Sequence, residues 1–169
     1  DINKAFQIIL SKIPVELMND VIALDMLEDR KNILSKTIER FLDIFFSVLV
    51  LIITLPITIV TSFLIYTEDG KNIFYKQKRI GLKNKEFSII KFRSMKIDAE
   101  KNGAVWASSE DIRITRIGKI IRKLHIDEIP QMINILRGDI TLVGPRPERP
   151  EFVNMLEKEI PYYFLRHTI

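Results

Sequence analysis

Residues 44–67 form 24 consecutive positions without a charge, and Pro56 sits near their centre. The run exceeds the ~18 apolar residues that mark a membrane helix. It begins too far from the N-terminus, and lacks the small-residue site, to be a cleavable signal peptide. Proline has no N–H to donate and collides with the preceding turn, so a helix here must kink. Each half then reaches only about 18 Å at ~1.5 Å per residue, short of the ~30 Å hydrocarbon core. Hydroxyls at Thr54 and Thr58 can take up backbone groups freed by the kink. Lys36 and Arg40 precede the run, and Lys71, Lys76, Lys78 and Arg79 follow it. Positive flanks favour the cytoplasmic side, and here both flanks are positive. A helix that enters, bends at Pro56 and returns to the same face accounts for both features. A straight span is the alternative, since proline is tolerated in true spans.

The charges crowd into the rest of the chain. Residues 1–43 hold 6 basic and 8 acidic side chains, whereas residues 68–149 hold 18 and 11. A basic excess directly after an apolar run suits anionic headgroups or a phosphorylated substrate. No recognised nucleic-acid motif accompanies it, so nucleic acid is not an expected partner. The absence of cysteine excludes disulfide scaffolds, thiolate zinc sites and thiol nucleophiles. With only His125 and His167, His-rich metal sites and His-based triads are not expected.

Pattern along the chain predicts an α+β fold, mostly helical. Residues 1–35 read as a connector with helices over 4–11 and 20–30, broken at Pro14. Helix should run over 35–66 with its bend at Pro56, ended by a turn at Glu68-Asp-Gly70. Residues 73–79 and 86–92 cluster as strands joined by a turn at 81–85, a small β-hairpin. A short polar helix is expected over 94–101, then loop over 102–110. Ile114, Ile117, Ile121 and Leu124 recur at helical spacing, with Arg116, Lys119 and Lys123 on another face. Such a basic amphipathic helix suits a membrane interface, and equally a surface helix with a solvated face. Ile129, Met132, Ile133 and Leu136 mark a further helix with Asp127 as N-cap, Pro130 in its first turn and Gly138 as its stop. Residues 139–143 read as a short strand, and a last helix follows over 152–160.

The adjacent carboxylates Asp127 and Glu128 are the most suggestive polar feature. At a helix start they meet the positive end of the helix dipole, which favours the ionised form that a carboxylate nucleophile or metal ligand needs. The same position is also where acidic residues commonly serve as caps. Around the pair in sequence lie Lys91 and Arg93 at the end of the second strand, Arg122, and Arg146 between Pro145 and Pro147. Arginine suits bidentate phosphate contacts, and flanking prolines fix its loop. Taken together, these features point to chemistry on a phosphorylated, membrane-held substrate.

The segments Phe74-Tyr-Lys-Gln-Lys-Arg-Ile-Gly81, Ile90-Lys-Phe-Arg-Ser-Met95, Ile126-Asp-Glu-Ile-Pro-Gln131, Asn134-Ile-Leu-Arg-Gly-Asp139 and Leu142-Val-Gly-Pro-Arg-Pro147 resemble the bacterial sugar transferase family. These are monotopic polyprenyl-phosphate phosphoglycosyl transferases, and the resemblance covers about residues 36–169. It implies transfer of a sugar-1-phosphate from a UDP-sugar to undecaprenyl phosphate, with release of UMP, as the first membrane step of surface glycan synthesis. By the same resemblance Asp127 is the nucleophile that carries a covalent phosphosugar, and Glu128 is a base or a metal-placing group. Mg2+ is the implied cofactor, near Asp127 and Glu128. Lys91, Arg93, Arg122 and Arg146, with Pro145 and Pro147, form the implied phosphate site. The break at Leu55-Pro56 matches the family's re-entrant membrane helix. The implied location is the bacterial inner membrane, with membrane lipids as partners and the catalytic region on the cytosolic face. A homo-oligomer is compatible with the sequence. The implied organisation is a connector at 1–35 following an N-terminal domain, a membrane helix at 36–67 and a catalytic region from 68, continued beyond Ile169 by a further active-site segment. His125 stands where many members carry a small hydroxyl residue. A catalytically silent, membrane-anchored assembly module is the alternative reading.

Overall fold

The 61° bend between the two halves of the apolar run is the dominant local feature. The computed structural model describes residues 33–69, 72–99, 111–160 and 163–167. The helices expected over 4–11 and 20–30 and the loop over 102–110 lie outside the described residues. Helix α1 spans Ile33–Ile53 and α2 spans Leu55–Asp69. Among the described residues, no single helix is long and apolar enough to cross a membrane. The Thr54 hydroxyl donates to the Val50 carbonyl at 2.7 Å, which already accepts the Thr54 N–H at 2.9 Å, and not to the Ile52 carbonyl whose helical donor Pro56 lacks. The Thr58 hydroxyl is buried with no partner among the described residues, so neither of the two expected threonines takes up the backbone group freed at the break.

These helices are amphipathic in the inverted sense. Phe41, Phe45, Ile52, Ile53, Ile59, Val60 and Phe63 point outward, whereas Asp43, Ser47 and Thr61 are buried at 6, 0 and 4% exposure. In water that arrangement costs twice, once in apolar surface left exposed on the outer face and once in polar groups desolvated on the inner one. An apolar exterior of this size marks a surface that meets something other than water.

Beyond α2 comes the expected hairpin, β1 (Phe74–Ile80) against β2 (Glu86–Phe92), antiparallel, with Tyr75 opposite Lys91 and Ile80 opposite Glu86. Its turn carries Asn84 at a φ of 57°, a left-handed conformation that asparagine tolerates. Helix α3 (Arg116–Lys123) is N-capped by Thr115, whose hydroxyl accepts the Gly118 N–H at 2.9 Å. Gly118 allows the close approach, because a Cβ there would collide with the Ser94 carbonyl oxygen. Helices α4 (Gln131–Arg137) and α5 (Pro150–Glu159) follow, then a 3-10 turn at Tyr163–His167. That last turn is tied to the hairpin by His167 Nδ1 and Asn84 Oδ1, 2.6 Å apart.

The apolar core joins α2, β2 and α3 through buried Ile65, Phe92 and Ile121, with Ile73, Ile117 and Ile126 packed against them. This settles the ambiguous amphipathic helix in part. Its Ile117 and Ile121 face is filled by the protein's own core and not by an interface, while Leu124, expected on that face, is exposed.

Three expected elements differ. Residues 94–99 form no helix, because their backbone pairs across to 111–115. The Thr115 N–H reaches the Ser94 carbonyl at 3.1 Å, and the Lys96 N–H the Arg113 carbonyl at 2.9 Å. Residues 139–143 form no strand, because their polar groups go elsewhere: the Leu142 N–H donates to Asp43 Oδ1 at 3.0 Å. Glu68 and Asp69, expected in a turn, belong to α2, and Gly70 lies outside the described residues.

Candidate active site

The dyad does not cap a helix. Pro130 occupies the N-cap position of α4, and Asp127 and Glu128 lie one turn earlier in a 3-10 turn, Ile126–Glu128. His125 enters that turn at a φ of 55°, so a non-glycine residue here adopts the left-handed region. With the pair outside the N-terminus of α4, burial and neighbouring charge decide the protonation of the two carboxyls.

They decide it in opposite directions. Asp127 is 9% exposed. Burial pushes its pKa above the ordinary 3.8, reinforced by the Glu128 charge and only partly offset by Lys91 and Arg122. Burial acts on Glu128 in the same sense, but there the hydrogen bond and charge of Lys91, with Arg146 and His125, outweigh it and leave its pKa lowered. Lys91 Nζ donates to Glu128 Oε1 at 2.8 Å, and Arg146 Nη2 donates to the same oxygen at 2.9 Å. Two cations from distant segments thus converge on one carboxylate oxygen beside a buried carboxyl. Pairs of groups whose environments separate their pKa values characterise acid–base and nucleophilic sites.

Of the residues singled out from sequence, Lys91, Asp127, Glu128 and Arg146 come together, and Arg122 reaches Asp127 by charge. Arg93 lies in the interior at 7% exposure, its backbone N–H donating to the Ile73 carbonyl at 2.9 Å. Pro145 and Pro147 flank Arg146 on an irregular loop. The loop is held from outside: Arg79 Nη1 donates to the Pro147 carbonyl at 3.0 Å and Arg166 Nη2 to the Arg146 carbonyl at 3.0 Å. Leu55 and Pro56 stand at the α1–α2 break. The two carboxylates are the only metal-type donors in the turn, and no cluster of three or more His, Asp or Glu side chains suited to a metal occurs among the described residues.

Sequence reasoning missed the residues that hold these groups in register. Asn134, fully buried, accepts the Ile90 N–H at 2.9 Å and donates to the Ser88 carbonyl at 2.8 Å and to Asp139 Oδ2 at 2.9 Å. Its amide imitates a neighbouring strand on the open edge of β2, one residue from Lys91, and joins that edge to α4 beside the dyad. A polar residue amid Met132, Ile133, Ile135 and Leu136 was the available signal. Arg40, read only as a positive flank, instead donates to the Ile135 and Leu136 carbonyls.

Comparison with known proteins places these features in context. Residues 34–169 match the family model described as bacterial sugar transferase. A Bacillus subtilis (strain 168) protein, provisionally named an undecaprenyl-phosphate N-acetylgalactosaminyl 1-phosphate transferase, is 50% identical over 129 residues, covering 76% of this chain and 72% of its own length. An Aeromonas hydrophila UDP-N-acetylgalactosamine-undecaprenyl-phosphate N-acetylgalactosaminephosphotransferase is 44% identical over 78% of this chain. A Klebsiella pneumoniae UDP-glucose:undecaprenyl-phosphate glucose-1-phosphate transferase is 32% identical over 97% of it. The chain spans only 31% and 35% of those last two relatives' lengths.

Proposed function

Since the chain belongs to the bacterial sugar transferase family, we propose that it forms the catalytic region of a phosphoglycosyl transferase that moves a sugar-1-phosphate from a UDP-sugar to undecaprenyl phosphate. The observation that carries the reading is the convergence of Lys91 and Arg146 on Glu128 beside buried Asp127. Phosphoryl transfer demands little covalent chemistry of the protein and much positioning and charge neutralisation.

In the proposed first step an Asp127 carboxylate oxygen attacks the sugar-linked phosphorus. A phosphorus–oxygen bond to Asp127 forms, the bond to the bridging oxygen breaks, and UMP leaves. An oxygen of undecaprenyl phosphate then attacks the same phosphorus, the bond to Asp127 breaks, and the carboxylate returns. Burial suits this role, because a poorly solvated carboxylate has less water to shed before attack. Lys91, Arg122 and Arg146 neutralise phosphate charge as it redistributes. The lowered pKa of Glu128 makes it a weak base and favours its part in placing cations over deprotonating the lipid phosphate.

Mg2+ is proposed as cofactor. Two adjacent carboxylates without a third ligand fit an ion that is usually held by one or two carboxylates and completed by substrate phosphates and water. Asp127 and Glu128 would hold it, and it would supply positive charge to the phosphate oxygens.

Membrane attachment from one side is proposed for α1 and α2, with the catalytic region on the cytosolic face of the bacterial inner membrane. The inverted burial of these helices and their 61° bend support it. Two measurements test the whole. Full-length protein with Mg2+ and undecaprenyl phosphate should release UMP from at least one member of a UDP-sugar panel, and no release from any overturns the enzymatic reading. Cysteines placed singly at Lys36 and Lys71, in a chain that has none, should be labelled from the same membrane face. Labelling from opposite faces would exclude the hairpin.

A further inference from the structure

We propose that Arg40 and Asp43 on α1 are positioning residues for the transfer reaction, through which the membrane helix sets where the dyad and Arg146 stand. The proposal rests on the functional reading above. Arg40 sends both terminal guanidinium nitrogens to the last-turn carbonyls of α4, Nη1 to Ile135 and Nη2 to Leu136, each at 2.6 Å. One turn along α1, Asp43 Oδ1 accepts the Leu142 N–H at 3.0 Å. Residues three apart share a helix face, so one face of α1 grips the chain at both sides of the reversal at Gly138. Gly138, at a φ of 84°, turns the chain there, and a Cβ on it would lie 3.7 Å from the Arg40 guanidinium.

What the grip holds is the site. Helix α4 begins just after the dyad, and Arg146 lies four residues beyond Leu142. The guanidinium fork matches two carbonyls at the negative end of a helix. Anchoring alone gives no reason for the pair. Charged groups are costly on a membrane helix, and Asp43 is 6% exposed in a helix whose outward face is already apolar. The contacts to 135–142 supply the reason.

The test uses full-length protein in nanodiscs, with Asp43→Ala, Asp43→Asn and Arg40→Lys. In Asp43→Ala, amide exchange at Leu142 should accelerate and the KM for the UDP-sugar should rise, each about tenfold, which is the worth of one hydrogen bond. A smaller folded fraction would lower kcat and leave KM unchanged, so the rise in KM separates positioning from stability. Asp43→Asn retains the acceptor and should restore both within about twofold. Normal exchange at Leu142 in Asp43→Ala, or faster exchange with unchanged KM, overturns the proposal. Should Asp43→Ala fail to fold, Arg40→Lys decides. It keeps the charge but loses the fork, and it should raise KM in protein that remains folded; an unchanged KM overturns the proposal. Wild-type protein that releases no UMP would instead overturn the functional reading, while exchange at Leu142 still reports whether the grip exists.

Discussion

Replacing Asp127 with asparagine is expected to lower UMP release by about a thousandfold or more, the scale of losing a nucleophile that acts in concert with its neighbours. It should also abolish trapping of a labelled phosphosugar on the protein. The fold should survive, because asparagine is nearly isosteric and removes a buried charge. The folded-state pKa of Asp127 is raised, so its ionised form is the one the fold disfavours. Stability is therefore lost as pH climbs from the unfolded value of 3.8 through the raised one, and the asparagine variant escapes that loss. Its melting temperature at neutral pH should equal or exceed that of wild type. The rate has the opposite dependence: attack requires the carboxylate, so activity should fall as pH drops through a limb lying above 3.8. Lys91→Met removes a charge that lowers the Asp127 pKa, and it should move that limb to still higher pH. A variant Asp127→Asn with near-normal turnover, or a limb that moves downward in Lys91→Met, would contradict the assignment.

Asn134→Ala should be the most damaging change to stability. It removes three hydrogen bonds at a fully buried position and strands the Ile90 N–H and the Ser88 carbonyl on the edge of β2. Leaving such groups unpaired costs about 1–3 kcal/mol each, so a loss of about 2–6 kcal/mol is expected, or roughly 4–24 °C in Tm for a domain of this size. Asn134→Asp should be no better, because it keeps the acceptor for Ile90 while setting a carboxylate against the Ser88 carbonyl and Asp139. Thermal melts in detergent check both. An alanine variant within about 0.5 kcal/mol of wild type, the range of an ordinary surface change, would mean that the amide is not what joins β2 to α4. Because Lys91 follows Ile90 directly, the surviving folded fraction should also transfer poorly.

Legibility followed the range of the interactions. The hairpin was readable because β1 and β2 are adjacent in sequence, share a strand composition and are linked by a short turn ending near Lys85. The bend at Pro56 was readable because its cause lies within one residue. Residues 94–99 and 139–143 were misread where distant groups took their hydrogen bonds, from 111–115 in one case and from Asp43 in the other. The inward stripe of α1 does have a local trace: Arg40, Asp43 and Ser47 recur at spacings of three and four within an apolar helix.

The candidate site divides in the same way. Asp127, Glu128, Lys91 and Arg146 were identifiable as residue types in suggestive settings. Their protonation was not, since a helix dipole would favour the ionised form of both carboxyls alike. In the fold the pair is split, and the cause is contact across the chain.

By itself the sequence determined a broken apolar helix, a basic region behind it, a β-hairpin and the set of groups available for chemistry. Those properties depend on composition, periodicity and turn residues, all of which act within a few positions. Only the tertiary structure decided that Asp127 is pushed up and Glu128 held down, that Asn134 ties β2 to α4, and that α1 bonds to the chain at 135–142. Lys91 lies 37 residues from Glu128, and Asp43 lies 99 residues from Leu142. Desolvation and hydrogen-bond geometry exist only once such segments are folded against one another.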